Sequence, residues 1–373
     1  MRAFSPDAHL PSDWRTGKFL GRVDLGEGPS PVLVEKGQLF DMSAVAPTVS
    51  LLVEEGKLDN RLGSDLGPIE KCRFELLAPI DFQCVKACGV TFAVSAVERV
   101  IEERARGDSA SAASLRARLE ERIGRSIRAV VPGSDEADRL KKVLIEESLW
   151  SQYLEVAIGP DAEVFTKAPV LSTVGYGADV GVRSDSSWNN PEPEIVLVVD
   201  SAGKTVGATL GNDVNLRDFE GRSALLLGKA KDNNASCSIG PMIRLFDADF
   251  RMDDIRAADV NLRIVGEDGF ILNGVSTMSE ISRDPLDLVR QTLSAHQYPD
   301  GFALFLGTLF APTQDRGVPG RGFTHATGDV VTIASERLGI LVNRVVPCEQ
   351  APPWTTGIAA AMYNLARRGL LGV

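Results

Sequence analysis

No stretch of this sequence approaches the ~18 consecutive apolar residues of a helical membrane span, so no membrane partner is expected. The segment Met1 to Trp14 carries Pro, Asp and His where a secretory signal would need an apolar core. Basic residues are outnumbered, 40 Lys and Arg against 51 Asp and Glu, which leaves a net charge of -11. Binding nucleic acid requires a basic stripe that displaces counterions, so no nucleic-acid partner is expected either. The five cysteines (Cys72, Cys84, Cys88, Cys237, Cys348) are an odd, scattered set without disulfide logic. Cys84 and Cys88 lack a second ligand pair at zinc spacing. The three histidines, His9, His296 and His325, stand in separate segments. A cytoplasmic protein is the simplest reading.

Glycine, in contrast, is plentiful at 35, which calls for many tight turns. The length of 373 residues exceeds one average domain, and a hydrophobic fraction of 44% is that of a globular protein. Residues 1–75 are expected to form a small N-terminal α+β domain. Within it Ser30–Val34 and Leu39–Met42 read as strands, Ser50–Glu55 as a helix, and Gly56–Lys71 as a linker. Residues 76–373 form the second, larger domain. Val97, Val100 and Ile101 recur at helical spacing, as do Leu115, Leu119 and Ile123, and again Leu140, Val143 and Leu144. This helical stretch, about 101–149, reads as an insertion in a chain that is otherwise β-rich. The C-terminal segment Thr356 to Arg368, stopped by Gly369, reads as a helix with its N-cap at the start.

The strongest local signal is Glu192-Pro193-Glu194 running into the apolar strand Ile195–Val199. Side chains alternate along a strand, so the two glutamates point the same way, ~7 Å apart. Carboxylates at the mouth of a buried strand are costly unless a cation or donors neutralise them. With a turn centred near Ala202, Glu192 falls opposite Asn212, and Asp213 sits beside it. Three hard oxygen ligands suit Mg²⁺ or Mn²⁺ better than zinc. Spacing alone leaves open an ordinary hairpin end with solvated acids. Downstream, Arg217 and a lysine, Lys229 or Lys231, are candidates to clamp a carboxylate and to stabilise an enolate.

The run from Glu192 to Pro241 resembles the core of the fumarylacetoacetate hydrolase superfamily. That pattern is an E-x-E strand, then N-D-V-S-x-R-D, then K-x-x-D-T-F ending in G-P. Here stand Glu192/Glu194, Asn212-Asp213-Val214 with Arg217-Asp218, and Lys231 with Gly240-Pro241. Glu163–Pro169, Gly307-Thr308, Gly328–Val331 and Leu338–Val345 resemble further family segments. The resemblance implies an α+β fold: a mixed β-roll catalytic domain with the small N-terminal domain and the helical insertion. It also implies Mg²⁺ or Mn²⁺ on Glu192, Glu194 and Asp213, and a homodimer or homotetramer. Family substrates are small 2-keto acids, which bind the cation through their carboxylate and keto oxygens. Lys231 is the implied catalytic lysine. Arg217, Glu220, Lys167, Asn234 and Thr308 are the implied substrate-binding residues.

One departure points to a branch. Family hydrolases carry a His and a Glu that activate water, in G-x-N-Y-x-x-H-x-x-E. The matching text, Gly89 to Glu98, keeps Glu98 but has Ser95 in place of the histidine. Serine lacks the basicity that hydrolysis of a C–C bond asks for near neutral pH. Dehydration asks for a carboxylate base, Glu98, to take the C3 proton and return it to the departing C4 hydroxyl, with Ser95 holding hydroxyls. The text is similar to 2-keto-3-deoxy-sugar-acid dehydratases, which implies conversion of a 2-keto-3-deoxypentonate to 2-ketoglutarate semialdehyde. The alternatives are an acylpyruvate hydrolase or 2-keto acid decarboxylase of the same family, and a non-catalytic small-molecule sensor.

Overall fold

The computed structural model describes residues 4–106, 108–112, 125–128, 130–310, 312–317, 319 and 322–371. The expected helix through Leu115, Leu119 and Ile123 lies outside the described residues.

The N-terminal segment supplies β1 (Lys18–Asp24), β2 (Pro29–Glu35), β3 (Gln38–Asp41), β4 (Ser64–Pro68) and β5 (Glu75–Leu76). After β6 (Cys84–Gly89) come the helices, and then β7 (Glu163–Ala168), β8 (Asp179–Val182) and β9 (Asn189–Asn190). The hairpin strands are β10 (Pro193–Val199) and β11 (Thr205–Asp213), followed by β12 (Asn215–Leu216) and β13 (Cys237–Leu245). The chain closes with β14 (Asp259–Val265), β15 (Ile271–Thr277), β16 (Phe302–Phe305), β17 (Val330–Ser335) and β18 (Gly339–Pro347).

Eleven strands form one sheet in the order β4-β3-β2-β1-β13-β11-β10-β16-β6-β7, with β5 on β1. The β6–β16 pair is parallel and the others are antiparallel, so the sheet is mixed. Every residue of β10 is buried, as its unbroken apolar run requires for a strand covered on both faces. Because β1 pairs with β13, the segments 1–75 and 76–373 share this sheet. A second sheet, β15-β14-β17-β18-β8, alternates buried and exposed residues along β14, which leaves one of its faces to solvent.

Three sequence expectations need correction. Ser64–Pro68, read as linker, is the edge strand β4, paired with β3. In the β10–β11 hairpin Pro193, not Glu192, faces Asn212. The cause is an irregularity between Val198 and Val199, which shifts the register by one residue beyond the turn. The C-terminal helix spans Ile358–Arg367 with Gly357 at its N-cap, so Thr356 does not cap it.

The helix Ala93–Arg104 buries Ala96, Val97, Val100 and Ile101 against Tyr153, Leu154, Ala157 and Ile158 of the helix Gln152–Ile158. This separate apolar cluster fixes the angle at which Ala93–Arg104 lies across the mouth of the large sheet. That placement sets up the site.

Candidate active site

Glu192 and Glu194 lead into β10, and Asp213 ends the neighbouring β11. The Asp213 amide donates to the Glu192 carbonyl at 3.1 Å, and the Glu192 amide donates to Asn212 Oδ1 at 3.2 Å, so the shifted register still sets these residues side by side. All three carboxylates are buried, and each offers an oxygen within 4.8 Å of the others. Glu194 has no cation paired to it among the described residues. Its partner is the Gly307 amide, 2.6 Å from Oε2. Gly307 has φ +89°, and a Cβ there would stand 2.1 Å from Thr91 Oγ1. Only glycine brings that amide to Glu194.

Lys231 ends the helix Leu227–Lys231 and places Nζ 2.5 Å from Glu192 Oε2 and 2.8 Å from Asp213 Oδ2. Lys229 is exposed, its Nζ 4.8 Å from the Phe219 ring centroid. Of the two lysines, Lys231 is the one at the carboxylates. Burial lowers the affinity of Lys231 for its proton, but Asp213 and Glu192 reverse this and raise its pKa above the ordinary value. Burial pushes Asp213 up, and Lys167 and Lys231 more than offset it, so its pKa ends below the usual range. Glu194 is held well above the usual range by burial first and by the charges of Asp213 and Glu192 next.

The helix Ala93–Arg104 contributes charge as well as apolar packing. Arg99 places Nη2 2.6 Å from Glu192 Oε1, and Nη1 2.7 Å from both Glu102 Oε2 and Glu220 Oε2. Arg217 reaches Glu102 Oε1 at 2.6 Å, Glu98 Oε2 at 3.2 Å and the Pro312 carbonyl at 3.2 Å. Its guanidinium lies 4.3 Å from the Trp188 ring centroid. Glu102 therefore takes both arginines, and burial, which would raise its pKa, is outweighed by them.

Glu163 opens β7 and faces the same cavity. Burial pushes its pKa up to about 7, and the Glu220 carboxylate adds to the rise. Sequence reasoning gave no role to Arg99, Glu102 or Glu163. The signals were present: Arg99 and Glu102 stand three apart on the helix whose Ser95 and Glu98 were singled out, and Glu163 begins a quoted family segment.

The cavity at the carboxylates holds about 30 Å³ and is walled by Ser95, Glu220 and Thr308 besides the three carboxylates, Arg99, Lys231 and Glu163. An adjoining space of about 20 Å³ is lined by Glu98, Asn190, Arg217 and Phe310. Ser95 Oγ donates to the Phe92 carbonyl at 2.7 Å and accepts from the Phe92 amide at 3.3 Å, which caps its own helix. No base activates it.

Two expected substrate-binding residues do not wall either space. Lys167, fully buried, places Nζ 2.8 Å from Asp213 Oδ1 and also donates to the carbonyls of Val214 and Lys231. It reaches Asp213 from β7 and lines neither space. Asn234 spends its amide on the carbonyls of Cys348 and Pro352, each at 3.2 Å, and ties down the C-terminal segment. None of the three histidines lines the cavity: His296 is exposed against Tyr298, His9 stacks with Phe4, and His325 pairs with Asp329.

The profile of the fumarylacetoacetate (FAA) hydrolase C-terminal family matches residues 147–346. The chain is 32% identical over 183 residues to the 2-dehydro-3-deoxy-D-arabinonate dehydratase of Saccharolobus solfataricus, covering 49% of this chain and 58% of that one. It is 34% identical over 200 residues to the probable 2-keto-3-deoxyxylonate dehydratase of Haloferax volcanii, covering 54% and 65%. The matches thus span about three fifths of the curated relatives' length. Among solved structures, a 2-keto-3-deoxy-D-arabinonate dehydratase complexed with magnesium and 2,5-dioxopentanoate has the same fold, with a TM-score of 0.62 at 22% identity. The alignment covers 88% of this chain and 99% of that one.

Proposed function

The chain belongs to the fumarylacetoacetate hydrolase family, and from that premise we propose that it is a Mg²⁺-dependent hydro-lyase of a 2-keto-3-deoxypentonate. The product on this reading is 2-ketoglutarate semialdehyde, which is 2,5-dioxopentanoate. One observation carries it. Among the described residues that wall the cavity, five carboxylates, Glu163, Glu192, Glu194, Asp213 and Glu220, face two cations, Arg99 and Lys231, with Lys167 paired to Asp213 from behind. That deficit of positive charge in a buried site matches a divalent ion, and the oxygen-only ligand set of Glu192, Glu194 and Asp213 suits Mg²⁺ or Mn²⁺. The two curated relatives are named as dehydratases of this substrate class, which supports the same reading.

When bound, the cation supplies a Lewis acid for the carboxylate and keto oxygens of the substrate. Lys231 steadies negative charge that develops near the same oxygens. A carboxylate takes a proton from C3, and the C4 hydroxyl leaves with a proton as water. Glu98 and Glu163 flank the site from different elements, and burial pushes the pKa of Glu163 up to about 7, where a general base works best. Arg217, Thr308 and Glu220, which line the two spaces, are the residues we assign to the substrate hydroxyls. Ser95 serves as a helix cap and as wall. The absence of a histidine from the wall favours elimination over the hydrolysis of acylpyruvates.

A homodimer or homotetramer in the cytoplasm completes the reading. The oligomer, though not the location, is supported by Ile271 and Val275, exposed on the edge strand β15. The decisive assay offers Mg²⁺ with 2-keto-3-deoxy pentonates, 2-keto-3-deoxy hexonates and acylpyruvates. Semialdehyde should appear from a pentonate, and faster cleavage of an acylpyruvate would overturn the assignment.

A further inference from the structure

A cavity of about 710 Å³ shares no wall with the carboxylate site. On one side stand β1 and its turn into β2, from Arg22 to Pro29. On the other stands the helix Ile358–Arg367, which turns Ala360, Ala361, Asn364 and Arg367 toward the space. Thr48, Asp81 and Phe82 close the base. The helix buries only Leu365, and it is held by Asn364 and Arg368, which donate to the carbonyls of Glu27 and Pro29. A half-open volume large enough for a small organic molecule is therefore bounded by an element with little packing of its own.

The ionisable groups in this cavity differ in what they have left to bind. Asp81 accepts from the amides of Val49 (2.6 Å), Ser50 (2.9 Å) and Phe82 (2.8 Å). Asp24 accepts from those of Gly26 (2.6 Å) and Gly28 (3.1 Å). Both carboxylates are engaged by backbone amides. Arg22 carries five N–H donors, yet among the described residues it makes one long hydrogen bond, 3.5 Å to the Ile80 carbonyl, and no ion pair. Burial disfavours its charge, and Asp81 and Asp24 offset this only in part. A planar donor fork left open in a semi-enclosed space matches a carboxylate, which it can bind bidentately.

We propose that this cavity is a second ligand site, which takes a small organic monocarboxylate paired to Arg22 with its apolar body against Phe82 and Tyr363. Asp24, Glu27 and Asp81 line the same space, and their charges disfavour a dianion such as phosphate. Arg367, across the cavity, adds a second positive charge to the carboxylate's surroundings.

Calorimetric titration of the full chain with benzoate, in the presence of Mg²⁺, tests the site. Benzoate has no keto group through which to chelate a cation. One benzoate should bind per chain, and Arg22→Gln should weaken it by about tenfold or more, the loss of a charge-assisted pair. Ala360→Trp, a change on an exposed helix position, fills the cavity without touching the core and should abolish binding. Lys231→Met should leave it unchanged. The proposal falls if benzoate does not bind, if Arg22→Gln and Ala360→Trp both bind it normally, if Lys231→Met removes binding, or if phosphate binds as tightly. It falls too if Ala360→Trp dissolves a dimer in light scattering, since the cavity would then seat a second copy of the chain.

Discussion

Arg99 and Lys231 hold opposite oxygens of Glu192: Nη2 of the arginine lies 2.6 Å from Oε1 and Nζ of the lysine 2.5 Å from Oε2. A carboxylate proposed to bind a metal is thus already the meeting point of the helices Ala93–Arg104 and Leu227–Lys231. A cation entering beside Glu192 competes with Arg99 for Oε1 and is repelled by its charge. Arg99→Met should therefore tighten Mn²⁺ binding by about tenfold, or about 1.4 kcal/mol, while lowering turnover, because Glu220 and Glu102 lose their shared partner. Mn²⁺ titration followed by electron spin resonance reads the affinity directly. An unchanged or weaker affinity would show that Arg99 supports the metal site and does not oppose it.

Removal of the divalent cation should abolish activity, and Mg²⁺ or Mn²⁺ should restore it. Glu192→Ala, Glu194→Ala and Asp213→Ala should each lose the ion. Glu194→Ala is the most telling of the three. That carboxylate has no cationic partner among the described residues, so its removal takes away a proposed metal ligand and breaks none of the described salt bridges. Any variant of the three that keeps wild-type Mn²⁺ affinity is not a ligand.

Lys231→Met should cost catalysis on the order of a hundredfold, as loss of a preorganised charge stabiliser does. Lys229→Met should stay near normal, since Lys229 is exposed over Phe219. Rates measured at saturating Mg²⁺ separate the lysine's effect on chemistry from its effect on metal loading. A dead Lys229→Met would contradict the placement.

The sequence carried the carboxylate trio plainly, because E-x-E before an apolar strand and N-D after its return are local features with a fixed period. The one-residue register shift was not legible, since the irregularity at Val198/Val199 leaves no mark in a run of valines. Lys167 and Asn234 were named from motif position, and position alone does not tell a residue facing the cavity from one bracing it from behind. Arg99, Glu102 and Glu163 escaped for a related reason. For Arg99 and Glu102 the importance lies in partners more than 90 residues away, Glu192, Arg217 and Glu220, brought near when the helix Ala93–Arg104 docks, and for Glu163 it lies in the Glu220 carboxylate of a distant segment. Likewise the C-terminal helix reads as amphipathic, yet the fold buries only Leu365 from its apolar stripe.

Glu163 yields the sharpest pH prediction. Burial raises its pKa from 4.5 to about 7, so the folded state holds a proton there that the unfolded state releases. A carboxyl with a raised folded pKa stabilises the fold fully below the unfolded value, and this contribution is lost as pH rises through the folded value. The window is thus about pH 4.5 to 7, and the full effect is on the order of 3 kcal/mol. Glutamine cannot ionise, so Glu163→Gln escapes that loss. In chelator, urea unfolding should show wild type and Glu163→Gln similar near pH 4.5 and the variant the more stable above about pH 7. Kinetics supply the second arm. If Glu163 takes the C3 proton, kcat/KM at saturating Mg²⁺ should climb with pH along an acid limb that a bound cation moves below about 7. Glu163→Gln should lose that limb together with most of the rate, and should also stop exchange of C3 hydrogens in heavy water. A variant that gains stability as described but keeps the limb and the exchange would leave Glu163 as a buried acid of the wall and return the proton transfer to Glu98.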